Sequence, residues 1–295
     1  MFRVRRLLAP FVLCIALLFS EAQAFTIAWL SDTQNYHNAY KPIFDGMTQW
    51  IADNRAALDI RFVFHTGDVV GRWSSEDQWR QARESMGILS SASIPFLTVC
   101  GNHDIGYRMN YANFLKYVLS LRPASMSQEY GDTGSRYELF SANGRDYIFM
   151  GIAFSNKGPS EDEVNWINGV LRQYSSRDAI IITHSYLKKS AAYTTQGKAI
   201  FEKIVKANPN VFLVLCGHCR DISYKNVQLD DDGDGDPDRT VYAILSNFQG
   251  SKAGGGGYMR ILDFRDSDIY IYTYSPYYYS CEYPKGKTEA TVPLP

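Results

Sequence analysis

From Phe25 onward the chain alternates short apolar runs with amphipathic stretches. The pattern predicts a strand from Phe25 to Leu30, a helix from Phe44 to Leu58 and a strand from Ile60 to His65. It then predicts a helix from Glu76 to Leu89, opened by a capping box of Ser75 and Gln78, and a strand from Ile94 to Cys100. Such alternation implies βαβ units and a sheet with parallel strands. After this the rhythm changes. Runs from Arg136 to Phe140 and from Tyr147 to Phe154 flank Asn143-Gly144, a hairpin signal because both turn residues accept positive φ. A helix from about Glu161 to Gln173 follows, with Ser160 and Glu163 as a second capping box. Then come a strand from Ala179 to Thr183, a helix around Lys198 to Ala207 and a strand from Val211 to Cys216. Val227 to Tyr274 reads as mostly β, broken by an Asp-rich loop at 230–238 and by Gly254 to Gly257. With no internal repeat and no long linker, residues 25–295 are expected to form one α/β domain with two sheets.

The first 24 residues stand apart. Arg3, Arg5 and Arg6 precede an apolar run from Leu7 to Phe19, and Ala22 and Ala24 supply the small residues of a cleavage site after Ala24. Residues 1–24 are therefore expected to be a signal peptide and the mature protein to be secreted or periplasmic. The run falls short of the roughly 20 apolar residues a membrane span needs, so no anchor is expected after cleavage. Cys14 lacks the small residues before it that a lipid attachment site requires.

Composition excludes more than it assigns. At 45% hydrophobic and 21% charged over 295 residues, the chain is neither disordered nor a coiled coil. Thirty basic against 31 acidic residues give a formal charge of −1, and losing three arginines and one glutamate with the signal peptide moves it to −3. No field of that sign attracts nucleic acid. The pattern sets no oligomeric state. Cys100, Cys216, Cys219 and Cys281 remain in the mature chain, allowing up to two disulfides in three pairings.

Polar residues with chemistry fall at the ends of the expected strands. Asp32 and Gln34 follow the first, Gly67-Asp68 the second, Gly101-Asn102-His103-Asp104 the third, His184 a later one and Gly217-His218 the last βα strand. Taken singly, Asp32 or Asp68 reads as a turn residue and His184 as a satisfied polar group. Taken together, five loops at strand carboxyl ends converge on one crevice, and their oxygen and imidazole donors suit a pair of divalent metals.

In these motifs the sequence resembles the calcineurin-like metallophosphoesterases, whose pattern is D-x-H, G-D, G-N-H-D/E, a single His and G-H-x-H. Here the blocks are Asp32-Thr33-Gln34, Gly67-Asp68, Gly101-Asn102-His103-Asp104, His184 and Gly217-His218-Cys219-Arg220, within a resemblance running from Ile27 to about Tyr274. The stretches Ser246-Asn247-Phe248-Gln249, Gly254 to Arg260 and Thr273 to Pro276 also look like a secreted bacterial branch whose first motif is S-D-T-Q. The resemblance implies a four-layer α/β/β/α sandwich of two mixed sheets and hydrolysis of a phosphate mono- or diester by a metal-activated hydroxide. It implies that Asp68 bridges two metals, drawn from Mn, Fe, Zn or Mg. Asn102, His184 and His218 would complete one site, and Asp32 with Gln34 would form the other. His103 would face the phosphoryl group as acid or charge stabiliser, with Asn102 also touching substrate and Asp104 fixing the orientation of His103. Arg220 stands where the family has a last His and, being always protonated, is expected to clamp phosphate instead of ligating metal. Gln34 and Arg220 also leave open a degenerate fold that acts as a binding module.

Two further signals compete. Cys216-Gly217-His218-Cys219 is a C-x-x-C, the pattern of a dithiol oxidoreductase, but it comes late in a long α/β chain. Asp230, Asp232, Asp234 and Asp236 match the start of a calcium loop, although position twelve is Val241 instead of Glu, and a solvated hairpin turn explains the run equally well.

Overall fold

A computed structural model describes residues 24–121, 128–131, 133–283 and 288–295. The expected signal peptide, except Ala24, lies outside them. In chain order the strands of the first half are β1 (Phe25–Leu30), β2 (Ile60–His65), β3 (Phe96–Thr98), β4 (Gln128–Tyr130), β5 (Ser135–Ala142) and β6 (Arg145–Ile152). The second half contributes β7 (Asp178–Thr183), β8 (Val211–Cys216), β9 (Asp221–Leu229), β10 (Arg239–Asn247), β11 (Met259–Phe264), β12 (Asp268–Tyr274) and β13 (Ala290–Pro293). The six-stranded sheet has the order β13-β12-β11-β1-β2-β3, and the seven-stranded sheet the order β4-β5-β6-β7-β8-β10-β9. Both are mixed: β1, β2 and β3 run parallel, as do β6, β7, β8 and β10, with antiparallel strands at the flanks.

The sheets pack face to face through large apolar side chains, including Phe25, Trp29, Phe62, Phe64, Phe149 and Ile182. Phe64 and Phe149 meet edge to face with ring centroids 4.9 Å apart, a geometry the ring quadrupoles favour. On the outer face of the six-stranded sheet lie helices α1 (Lys41–Asp53) and α2 (Glu76–Ser91), which bury Phe44, Met47, Ile51, Trp79, Met86 and Leu89. After the short helices α3 (Asn102–Ile105) and α4 (Ala112–Tyr117), α5 (Glu161–Gln173) and α6 (Thr195–Ile200) cover the other sheet with Ile167, Leu171 and Ile200. Helix faces of this kind and a doubly apolar sheet interface give the expected α/β/β/α sandwich.

Local chemistry sets the boundaries. Ser75 accepts from Gln78 N and Ser160 from Glu163 N, so both expected N-caps form. Asn143 and Gly144 adopt φ of 53° and 75° between β5 and β6, the left-handed pair a tight hairpin needs. Helix α1 begins three residues before its expected start because Pro42 is tolerated in the first turn, and it ends at Asp53. The helix expected around Lys198 to Ala207 starts at Thr195, capped by Thr194, and passes into a π-helical turn at Phe201–Val205. No helix among the described residues is long and apolar enough to cross a membrane.

Candidate metal centre

The parallel strands of both sheets end at one crevice. From the six-stranded sheet, β1 delivers Asp32, β2 delivers Asp68 and β3 leads to Asn102 and His103; from the other, β7 delivers His184 and β8 delivers His218. Asp32, Asp68 and His218 all have left-handed backbones, with φ of 50°, 53° and 69°. Such conformations cost of order 1–3 kcal/mol each and persist where the surroundings impose them, typically at functional sites. Three glycines let the loops close in. A Cβ on Gly101 would lie 2.2 Å from Asp68 Oδ1, one on Gly217 2.3 Å from Asp32 Oδ2 and one on Gly67 2.7 Å from Gly101 N. The glycines of the G-D, G-N-H-D and G-H blocks are thus there for close approach.

Asp68, His184 and His218 each offer a ligand atom within 4.8 Å of the others. His184 Nε2 is 3.3 Å from Asp68 Oδ2, 3.1 Å from Asn102 Oδ1 and 3.2 Å from His218 Nδ1. Its Nδ1 donates to Thr66 O at 2.8 Å, which fixes the ring and leaves Nε2 as the ligand atom. Asp68 Oδ1 accepts from His103 N at 2.9 Å. These groups form an oxygen and nitrogen donor set that a divalent cation fits.

The charges say the same. Burial disfavours a charged His184, but the Asp68 carboxylate overrides it and its pKa rises to about 9. Burial likewise pushes Asp68 up, yet His184 prevails and holds it below the usual carboxylate range. His218 is driven down to about 4, by burial first and then by His184, so it stays neutral and ready to ligate. Burial raises Asp32 to about 7, with His184 opposing and Asp68 reinforcing. Two buried carboxylates balanced only by one imidazolium are an environment that positive charge stabilises.

The remaining expected residues fall in different places. Asp32 is buried and lies outside the three-residue cluster; its oxygens accept from Ser31 Oγ at 2.5 Å and from His218 N at 3.2 Å. Gln34 is buried beside it in sequence and bonds Gln249. His103 is exposed, and its Nδ1 donates to Gly71 O at 3.0 Å. Asp104 does not orient His103, contrary to expectation. Its oxygens accept from Gly101 N at 2.8 Å and Val70 N at 3.0 Å, so it staples the third loop to the second. Arg220 is exposed, with its Cδ beside Gly250, and the next residue, Asp221, pairs with Lys189.

Each competing signal takes an ordinary structural form. The four cysteines among the described residues are free, and burial pushes the Cys216 thiol up to about 12, whereas a dithiol oxidoreductase needs a lowered one. In the Asp-rich loop, Asp230, Asp232 and Asp238 come within 4.8 Å of one another, while Asp234 and Asp236 stay outside that group. Asp230 accepts from the amides of Gly233 and Gly235, and Asp238 from those of Asp231 and Asp232. The carboxylates are thus already engaged as turn acceptors, and the loop joins β9 to β10 as a hairpin.

Sequence reading assigned no role to Ser31, Thr66, Asn247 or Gln249. Trp29 Nε1 donates to Thr66 Oγ1, Thr66 Oγ1 to Ser31 Oγ and Ser31 Oγ to Asp32, a relay of 3.2, 2.8 and 2.5 Å that holds the carboxylate. Ser31 stands next to Asp32 in the first motif, but nothing in the chain marks its hydroxyl as that carboxylate's donor.

The sandwich and its strand-end donors define a metallophosphoesterase architecture. Residues 25–219 match the calcineurin-like phosphoesterase family, and the chain belongs to it. Over 281 residues it is 40% identical to YvnB, described as an uncharacterized protein, of Bacillus subtilis (strain 168). That match takes in 92% of this chain, which spans only 22% of the relative's length. Among solved structures, the chain resembles a dimetal phosphatase from Danio rerio with TM-score 0.62 at 14% identity, over 91% of this chain and 98% of that one. A purple acid phosphatase from yellow lupin seeds gives 0.60 at 12%, over 92% and 54%. GAP50, the anchor in the inner membrane complex of Plasmodium, gives 0.59 at 14%, over 92% and 89%.

Proposed function

We propose that this domain is an exported, metal-dependent phosphoesterase that hydrolyses a phosphate mono- or diester. The observation that carries the reading is the meeting of Asp68, His184, His218 and Asn102 at the ends of four strands from two sheets. Divalent cations bound there would supply Lewis acidity and an activated water at neutral pH. The side chains divide the remaining work. Asp68, His184 and His218 would hold the cation, with Asn102 contributing a neutral oxygen that adds no charge against an anionic ester. His103 is exposed, and because its Nδ1 donates to Gly71 O, its Nε2 is left to face the leaving oxygen, to which the imidazolium form can give its Nε2 proton and become the neutral imidazole. Two of the similar structures are described as phosphatases, which supports the reaction class. The arginine-rich start, apolar run and small-residue site at Ala24 support export.

Purified protein lacking residues 1–24 should hydrolyse an aryl phosphate mono- or diester when Mn²⁺ or another divalent metal is added. Asp68→Ala and His218→Ala should each abolish that turnover, and activity unchanged by both would overturn the reading. N-terminal sequencing of the exported protein should begin at Phe25.

A second reading keeps the fold as a binding module without turnover. It is favoured by Arg220 and Gln34 in place of imidazoles, and by the description of one structural neighbour as an anchor. It requires at most one metal per chain and no hydrolysis with any metal, so elemental analysis alongside the assay separates the two.

A further inference from the structure

Gln34 sits on the turn after β1 with 6% of its surface exposed, and its Oε1 is buried without a hydrogen-bond partner. Leaving a buried carbonyl oxygen unpaired costs about 1–3 kcal/mol, so this atom calls for a donor or a cation. The other end of the amide is taken: Nε2 donates to Gln249 Oε1 at 2.5 Å. The Gln249 main chain is held by two hydrogen bonds, and a third continues from Asn247. Gln249 N donates to Asn247 Oδ1 at 2.9 Å, Gln249 O accepts from Asn35 Nδ2 at 3.4 Å, and Asn247 Nδ2 donates to His218 O at 3.1 Å. The partner of Gln34 is therefore tied to the main chain of a candidate ligand from the opposite sheet. Behind it, Gly255 packs so closely that a Cβ would lie 2.4 Å from Tyr36 Oη and 3.5 Å from Gln249 Cα.

An amide can face a neighbour with either end, and only its oxygen can ligate a metal. With Gln249 Oε1 as acceptor, the NH₂ end of Gln34 is captured and its Oε1 is left free. We propose that Gln249 is a positioning residue that presents Gln34 Oε1 to a divalent cation on the Asp32 side of the centre. The proposal rests on the metal-dependent reading above and adds a residue 215 positions away in sequence as the determinant of the second site. In this chain a carboxamide pair does the work of a ligand that is self-orienting when it is an imidazole held by its second nitrogen.

The test is calorimetric titration of chelator-stripped protein with Mn²⁺, with stoichiometry by elemental analysis and folding checked by thermal melting. The parent should bind two Mn²⁺ in two classes. Gln249→Met fills the same volume without an acceptor and should weaken the second class 10–100-fold while leaving the first unchanged, the usual cost of losing a hydrogen-bond partner behind a ligand. Gln249→Glu accepts with both oxygens and should keep the second class within about threefold. The proposal is overturned if Gln249→Met leaves the second class intact, if Met and Glu variants weaken both classes alike, or if the parent takes up a single Mn²⁺. A parent that binds none overturns the metal-dependent reading itself, so the two failures are distinguishable.

Discussion

Asp68 Oδ2 and His184 Nε2 lie 3.3 Å apart with both side chains sealed from solvent. Charges buried together are weak sources of net stability, but removing one partner strands the other and costs about 3–5 kcal/mol. His184→Ala should therefore lower the urea stability of metal-stripped protein by about that amount. The double variant His184→Ala/Asp68→Asn should recover part of it, because the stranded carboxylate is gone. Equal stabilities for single and double variants would show that the pair is not coupled.

The close approach of the loops gives a purely steric prediction. Gly217→Ala would place a methyl group 2.3 Å from Asp32 Oδ2 and 2.5 Å from Ser31 Oγ, inside the relay that holds the carboxylate. Overpacking of a buried site costs typically about 1–3 kcal/mol. Chemical denaturation should show that loss, accompanied by weaker metal uptake on the Asp32 side. Gly87→Ala, inside α2 with nothing within 4 Å of its new Cβ, should instead raise stability by about 1 kcal/mol and leave metal uptake unchanged.

Glu163 supplies a pH dependence through a group that is not among the candidate ligands. Its carboxyl is buried and its pKa is raised, chiefly by that burial, even though Ser135 Oγ donates to it at 2.5 Å. The negative end of its side chain also lies in the first turn of α5, where the helix dipole favours an anion by only about 0.3–1 kcal/mol. A raised folded-state pKa means that the folded protein holds the proton more tightly than the unfolded chain. The resulting penalty is absent below the unfolded pKa near 4.3 and is fully present once pH exceeds the folded value. Glu163→Gln keeps an acceptor for Ser135 and should raise Tm at pH 8 while leaving it nearly unchanged at pH 4. An equal shift at both pH values would refute a titration origin.

How much of this was readable along the chain depends on the range of the forces involved. β1, β2 and β8 are short apolar runs buried along nearly their whole length, so burial alone announces them. β9 is half polar because one face meets solvent, and its start at Asp221 went unrecognised behind Cys219 and Arg220. β13 is a four-residue edge strand paired only with β12, too short to carry a period. In the centre, Asp68, Asn102, His184 and His218 were visible because each follows a strand. The partners of Asp104 and Gln34 were not, since Val70 N and Gln249 Oε1 come from separate loops and are set by three-dimensional closure.

Arg220 is where sequence pattern and chemistry diverge, and its position narrows the choices. It is exposed, and its Cδ lies beside Gly250, the residue after the Gln249 that bonds Gln34, so the side chain starts out on the Asp32 side. Asp221, the next residue, is paired with Lys189 at 2.6 Å. A planar fork on that side can reach two phosphate oxygens at about 2.7–2.9 Å once substrate arrives. Binding energy of that kind is shared by ground and transition states, so Arg220→Ala should raise KM by about tenfold, equivalent to about 1.4 kcal/mol, with a smaller change in kcat. Arg220→His should lower the Kd of the second Mn²⁺, since it exchanges a permanent cation for a neutral imidazole. Steady-state kinetics and metal titration of the two variants check both effects. If neither quantity moves, the guanidinium stays in solvent and phosphate recognition falls to His103 and Asn102.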